Sequence, residues 1–592
     1  MTLEGGFRIG GREVIPLEGR IVGPAGALRV EPKAMSVLLE LARHAPAVRT
    51  REQILQAVWP RGFVSDDALT RCIGQLRRAL GDESKAQTWL ETVPKRGYRL
   101  KVPAQTLVRR DPADDGRVAR NESLIVLPFQ NLSAGAEDFV ADGLTELLIL
   151  RLAGLGSVRV ISRTTSMQFK ATRTSLSEIA ARTAAQWVIE GSVLQSGNLL
   201  QVVVQLIDAR TDAHLWAADY LRELSDLLPL QNEIAASLAA AIGVRLGAAA
   251  EAPHPRPTTL ASAVMRDYLR GRTLISRRTV AELHEARRLF DVVAEAAPGY
   301  AAGWASLAEC DLLLAHYGAP DPERLIASCE RNVERALVLD PELGIALSTR
   351  GAARFFFRCD LDAAARDLQR ALGLLPSYSF ALIAMANVCT VRREFDEARA
   401  WIGQALLVDP LDVGVNMNFG DHMILQRRYG EALQGLRRAL AIAPGHRPSR
   451  LRSGWALALD GQHRAGTELL NGIGPADETD APWFEYAALV AGACGDADSA
   501  LRHYEALVRW SASQRVPAWS MARAATAARQ HDAALNWLEA AVRERSSSLP
   551  FLALTPAFDA LHAEARFRVM LDRLTLPLPA PGGDVRTRVE SA

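Results

Sequence analysis

The sequence predicts a multidomain chain: a winged helix-turn-helix of α+β class, then an α/β domain, then an all-α superhelix of short repeats. Three observations carry this reading. A helix with one apolar stripe and a basic outer face, Ser65 to Asp82, runs into a basic hairpin, Trp89 to Leu100. From Ser123 onward, short apolar strands alternate with helical patterns and end in a hairpin turned at Ser196-Gly197-Asn198. In the second half, Arg335-Ala336-Leu337-Val338-Leu339-Asp340-Pro341 recurs in variants that end at Pro376, Pro410 and Pro444, which lie 35, 34 and 34 residues apart.

Within the head, residues 7–30 alternate apolar runs with glycine and proline, as a small antiparallel sheet does. Lys33 to His44 and Thr50 to Trp59 read as two short amphipathic helices. The second opens with Thr50 and has Gln53 three positions on, a capping-box pattern. In the third helix, Leu69, Ile73, Leu76 and Leu80 share one stripe, while Asp67, Arg71, Gly74, Gln75 and Arg78 lie opposite. That outer face suits a DNA major groove. Arg and Gln match base-edge donors and acceptors, and Gly74 permits close approach. The hairpin tip Lys95-Arg96-Gly97 then reaches a phosphate or the minor groove.

On these residues the head resembles the DNA-binding domain of OmpR and PhoB, and more closely its one-component CadC and ToxR branch. The likeness rests on Lys33 to Ala42, Arg51 to Pro60, Leu69 to Ile73, Leu76 to Asp82 and Glu91 to Leu100, and spans about residues 5–103. It implies a recognition helix over about 65–80, with Thr92 and Lys95-Arg96 at the DNA backbone. The expected DNA-contacting set is Arg71, Gln75, Arg77, Arg78, Thr92, Lys95, Arg96 and Tyr98. Gly74 and Gln75 depart from the further basic residues of PhoB-like helices, so the target sequence is not carried over.

Charge agrees with this division of labour. Residues 1–103 hold 17 Lys+Arg and 11 Asp+Glu, about +6, whereas the remainder holds 52 and 57, about −5. A basic head on an acidic body is the asymmetry expected when one domain meets a polyanion, and its binding should be salt-sensitive. Six scattered cysteines (Cys72, Cys310, Cys329, Cys359, Cys389, Cys494) form no CxxC pair, which predicts buried thiols in a reducing cytosol and no metal site. The apolar runs Leu144 to Gly156 and Ile234 to Ala250 are broken by charges, so a cytoplasmic protein without a membrane span is expected, unlike CadC and ToxR.

Arg109 to Asn121 reads as a linker; its aspartates lack the closing Glu of a calcium loop. In the α/β region the expected elements are strands at Leu124 to Phe129 and Val158 to Ile161, helices at Phe139 to Ala153 and Leu176 to Ala185, and hairpin strands at Trp187 to Leu194 and Leu199 to Asp208. Ile189 to Val193, Gln205 to Ala209 and His214 to Ala217 resemble the TolB-like domain of bacterial regulators, a likeness that implies a fold and no chemistry. There is no GxxxxGK[ST], HExxH or GxSxG. Gly154-Leu155-Gly156-Ser157 reads as a turn, or else a phosphate approach. Asp208, Asp212 and His214 read as turn residues, or else as pocket lining.

A period near 34 with a terminal proline is the tetratricopeptide signature. Small residues at Ala352, Ala386 and Gly420, and at Ala364, Ala398 and Ala432, let paired helices approach. Arg350, Asn387, Asn416 and Asn418 are candidate partner contacts on the first helices. The basic run Arg447 to Arg452 reads as a solvated face, or else as an aid to DNA or nucleotide binding.

The predicted boundaries are 1–104 winged helix, 105–121 linker, 122–247 TolB-like domain, 248–259 linker, 260–576 repeats and 577–592 disordered tail. They imply separate cores and a soluble fragment after deletion of 258–592. The order resembles soluble HilA-like invasion regulators with an OmpR-type head. The function so implied is a non-enzymatic, sequence-specific transcriptional regulator without a cofactor. Its partners are double-stranded promoter DNA, RNA polymerase, a peptide, protein or small-molecule effector on the TolB-like or repeat domains, and a second copy of the chain. The alternatives are a repeat scaffold tethered to DNA, or a nucleotide-handling enzyme in the TolB-like domain.

Overall fold

A computed structural model describes all residues except 1–6, 10–11, 16–19, 24–25, 59–65, 83–87, 95, 103–104, 107–121, 134–137, 155, 157, 173, 244–258, 320, 478–479 and 578–592. The chain divides into two compact units, 1–118 and 119–592.

In the first unit, β1 (Phe7–Ile9), β2 (Arg12–Ile15), β3 (Arg20–Gly23) and β4 (Gly26–Arg29) form an antiparallel sheet in the order β4-β3-β2-β1. Three helices follow: α1 (Pro32–Arg43), α2 (Arg51–Val58) and α3 (Asp66–Leu80). Next comes the hairpin of β5 (Leu90–Val93) and β6 (Gly97–Leu100). The expected linker starts too early, because Gln105–Thr106 forms β7 and pairs with β1. The capping box of α2 is present: Gln53 N–H donates to the Thr50 hydroxyl (3.2 Å) and Thr50 N–H to Gln53 Oε1 (3.0 Å). One cluster joins Ile9, Val14 and Ile21 of the sheet to Leu38, Leu41, Ile54, Leu69, Leu76 and Leu100. The apolar stripe of α3 therefore faces the core and leaves its other side to solvent.

In the second unit, β8 (Ser123–Val126), β9 (Gln130–Asn131), β10 (Arg159–Val160), β11 (Trp187–Ser196), β12 (Leu199–Asp208) and β13 (Ala213–Glu223) form a mixed sheet. The order is β10-β8-β11-β12-β13, parallel through β11 and antiparallel beyond it, with β9 parallel to β11. The helices α4 (Phe139–Ala153) and α7 (Leu227–Ile242) cover one face; α5 (Arg163–Met167) and α6 (Leu176–Thr183) lie between β10 and β11 in the chain. Strand β13 is an element the sequence reading did not foresee.

The repeats are helix pairs, among them 344–353 with 361–374, 379–391 with 395–408 and 413–425 with 429–442. Ala364, Ala371, Ala398, Ala405, Ala432 and Ala439 are fully buried where paired helices meet. A Cβ on Gly420 would lie 2.9 Å from Leu436, and one on Gly351 2.8 Å from Leu368. Gly351 thus occupies the close-approach position expected of Ala352. The 35-residue spacing has its extra residue in a wider π turn at Arg354–Arg358, after which the register recovers.

The expectation of independent cores after 122–247 is corrected here. A single apolar cluster runs from Leu124 and Val126 through Leu148 and Ile234 to Tyr268, Phe290 and Leu314. Arg272, 5% exposed, donates to Glu146 of α4 (2.6 and 2.9 Å) and to Glu309 (2.7 Å). A Cβ on Gly143 would lie 2.7 Å from Leu269. Further along, Val160 N–H donates to the Ser377 hydroxyl (3.1 Å), and Asp409 accepts from Thr165 N–H (3.1 Å) and Oγ1 (2.6 Å). A fragment cut at residue 258 would expose this apolar face and strand Glu146 without Arg272. The array also closes on itself. Phe551 meets the Phe355 ring edge-on (5.5 Å), and Arg427 donates to the Leu554 carbonyl and to Asp559, both at 2.6 Å.

Candidate nucleic-acid interface

Thr70, Arg71, Gly74 and Arg78 are exposed on the outer side of α3, and Gln75 is half-buried beside them. A Cβ on Gly74 would meet nothing within 4 Å, so this face is open to a groove. The helix ends in a Schellman motif: Asp82 N–H donates to Arg77 O (2.8 Å), Gly81 N–H to Arg78 O (3.1 Å), and Gly81 takes φ +63°.

That ending delivers Asp82 into the interior. Its carboxylate, 1% exposed, accepts the backbone N–H groups of Thr88 (2.6 Å), Trp89 (3.0 Å) and Leu90 (2.8 Å). One side chain thus fixes the entry of β5 relative to α3. Sequence reasoning passed over Asp82, although Gly-Asp directly after an amphipathic helix is a stop signal with an acceptor attached.

Arg77 and Tyr98, both expected at DNA, are held within the fold. Arg77 Nη2 donates to Leu90 O (3.1 Å) and to the Thr92 hydroxyl (2.8 Å), so it braces β5 from α3 and engages Thr92 as well. Tyr98 is 3% exposed; its hydroxyl accepts from Arg51 (3.1 Å), whose guanidinium lies 5.5 Å over the ring. The backbones of Tyr98 and Arg49 exchange two hydrogen bonds (2.9 and 3.0 Å), docking β6 beside the start of α2. A Cβ on Gly97, at φ +147°, would fall 2.0 Å from Arg49 O, so only glycine allows this contact. Glu40, buried, holds Arg49 at 2.6 Å, and Arg12 sits 5.0 Å over the Trp89 ring. Arg96 is exposed at the turn, its N–H bonded to Val93 O (3.0 Å); Lys95 lies outside the described residues. Across the wing Arg99 meets Glu91 at 2.5 Å, and this hydrogen bond holds the Glu91 carboxyl below the usual range.

Most of the other candidates are occupied internally. Arg350 is paired bidentately with Asp367 (2.8 Å). Asn416 donates to Pro410 O (3.1 Å) and Asp412 O (2.9 Å) and accepts from Arg438 (3.0 Å); Asn418 donates to Gly414 O (2.8 Å). Asn387 is buried. Arg350, Asn387 and Asn416 are thus held within the fold, while Asn418 stays half-buried. In the basic run, Arg447 pairs with Asp480 and Arg452 with Asp421 (2.9 Å), so it is packing rather than a solvated face. Asp208 accepts from Arg210 N–H (2.9 Å) and Thr211 N–H (3.1 Å), the turn expected of it. A Cβ on Gly154 would approach Leu374 O at 3.4 Å, against a repeat; Leu155, Ser157 and the Asp111 to Asp115 patch lie outside the described residues.

Among the described residues, Cys389, Glu394 and Glu397 form the group whose ligand-type atoms lie within 4.8 Å of one another. Burial, with the two carboxylates, pushes the Cys389 thiol up to about 12, which disfavours the thiolate a metal needs. The six cysteines are free, and no helix of the described residues is long and apolar enough to cross a membrane.

Residues 26–100 match the family described as "Transcriptional regulatory protein, C terminal". The chain is 23% identical to the transcriptional regulator HilA of Salmonella typhimurium over 475 residues, 77% of this chain and 75% of that protein. It is 33% identical to "Putative adenylate cyclase 3" of Rhizobium meliloti over 186 residues, 31% of this chain and about a third (32%) of that protein's length. Among solved structures it resembles the DNA-binding domain of Escherichia coli CadC, with 33% identity, 17% of this chain and 94% of that one covered, and a TM-score of 0.16.

Proposed function

We infer that this DNA-binding transcriptional regulator, with an OmpR/PhoB-type winged helix at residues 26–100, selects promoter sites through the outer face of α3. The observation that carries the reading is the open, basic side of α3 at Arg71, Gly74, Gln75 and Arg78, set against a wing clamped by Asp82 and Arg77. Arg71, Gln75 and Arg78 read base edges, and Arg96 with Lys95 holds a phosphate. Residues 119–592 act as one body that receives a signal, pairs two copies or recruits RNA polymerase. The protein works in the cytoplasm, where its DNA and its reduced thiols are found, and has no catalysis of its own.

Gel shifts at two salt concentrations test the assignment. Arg71→Ala or Arg78→Ala should weaken specific binding by about 1–3 kcal/mol. Arg96→Ala should weaken all sequences alike and lower the salt slope by about one unit. Unchanged affinity in all three removes the assignment. The partial likeness to a cyclase motivates a second assay: the full chain with ATP and a divalent cation should form no cyclic nucleotide, and product formation would establish an enzyme.

A further inference from the structure

The α/β domain contains a cleft of about 610 Å³. It opens where Leu127 to Leu132 leave β8, and is walled by Phe169 to Thr172, Thr174 and Ile179 on one side and by Glu190, Ser192, Val203 and Gln205 of the sheet on the other. Strand β8 lies between β10 and β11, both parallel to it: the chain crosses from β8 to β10 on one side, then from β10 past β8 to β11 on the other. The carboxyl end of such a strand is a topological switch point, where open α/β sheets form ligand crevices.

The lining has a chemical bias. Glu190 is half-buried and has no hydrogen bond or ion pair among the described residues; its cross-strand partner is Gln205. Gln130, Thr174, Ser192 and Gln205 likewise offer side-chain amide and hydroxyl groups without a hydrogen-bond partner among the described residues. Burial raises the Glu190 carboxyl above its usual range, with Asp212 adding to the shift and His214 opposing it. The ammonium of Lys170 is already held by Asp142 (2.7 Å) and Asp138 (3.0 Å), so the one cation among the described lining residues is not spare for a phosphate or carboxylate. Among the described lining residues, Glu190 is a carboxylate without a hydrogen-bonded partner beside neutral amides and hydroxyls, and such a group suits adjacent O–H groups, which one carboxylate can accept in pairs.

We propose that this cleft binds a neutral vicinal diol, the chemistry shared by a monosaccharide and by the ribose of a nucleoside. The site is the effector site of the regulator described above and rests on that reading only for its biological role. A bound diol would fasten the β8–β9 segment to β11 and β12 in the unit that also carries the repeats.

The test is calorimetric titration of the full chain with D-glucose, D-galactose, D-ribose, adenosine, 1,4-diaminobutane and inorganic phosphate. At least one diol should bind with Kd near or below about 1 mM, and Glu190→Gln should weaken it about tenfold or more while thermal unfolding is unchanged. Hexose binding alone assigns a carbohydrate; ribose and adenosine binding assigns a nucleoside. If Glu190→Gln fails to fold, Gln205→Ala must weaken the same diol. Binding of none of the diols, binding of the diamine or phosphate instead, or binding indifferent to these substitutions overturns the proposal. Gel shifts of the same preparation without diol report on the head independently, so failure of one reading is distinguishable from failure of the other.

Discussion

Replacing Asp82 with alanine should loosen the wing while leaving the recognition helix folded. The carboxylate accepts three backbone N–H groups. Thr88 is exposed, so water replaces its bond at little loss, whereas Leu90 is buried and Trp89 half-buried. Two donors left without acceptors at about 1–3 kcal/mol each put the local loss at about 2–6 kcal/mol. That is a large part of a domain stability of about 5–15 kcal/mol. Hydrogen-exchange mass spectrometry on the full chain should show peptides over 88–100 exchanging at least about tenfold faster. Peptides over 66–80 should change little, since Leu69, Ile73 and Leu76 keep their packing. Asp82→Asn, which retains one acceptor oxygen, should fall between. Exchange over 88–100 equal to that of the unaltered chain would refute the claim that Asp82 anchors the wing.

Three further outcomes are expected. Tyr98→Phe loses only the Arg51 bond, so it should cost about 0.5–1.5 kcal/mol of stability and leave sequence preference intact; relaxed specificity in gel shifts would return Tyr98 to the DNA surface. Burial, then the charge of Asp412, pushes Asp409 up to about 7, so the folded state holds a proton that the unfolded chain releases at its ordinary lower value. The stability this proton linkage contributes is present at acid pH and is lost as pH rises toward about 7; Asp409→Asn should flatten melting temperature against pH in that window, and an unaltered profile would contradict it. Ala405→Glu, at a fully buried helix contact, should cost several kcal/mol, about 3–5, by overpacking and charge burial, and should increase protease sensitivity along the array while the head stays folded.

The head was legible because its signals are local: the stripe of α3, the Thr50 capping box and the basic hairpin each sit within a few residues. Which arginine points outward was less legible. Arg77 and Arg78 are adjacent, and only the packed position of β5 shows that Arg77 reaches Thr92. Tyr98 was misread for a similar reason, since an aromatic in a basic hairpin looks available until Arg49 and Arg51 are seen against it. Strand β13 escaped notice because Ala213, His214, Leu215, Ala217, Asp219 and Leu221 are exposed, so no apolar alternation marks it. The shared core had a signal that went unused: α4 is buried on nearly every side, from Val140 to Ala153, and a helix apolar all round needs cover on both faces. The repeats supply the second cover through Leu269 and Arg272.

Selection of bound sequences from a randomised duplex DNA pool by the full chain decides whether the outer face of α3 reads DNA sequence. One motif should be enriched, should be lost with Arg71→Ala and Arg78→Ala combined, and should survive Arg96→Ala with weaker overall retention. Enrichment of no motif, or a motif unchanged when both outer arginines of α3 are removed, would contradict that role of α3.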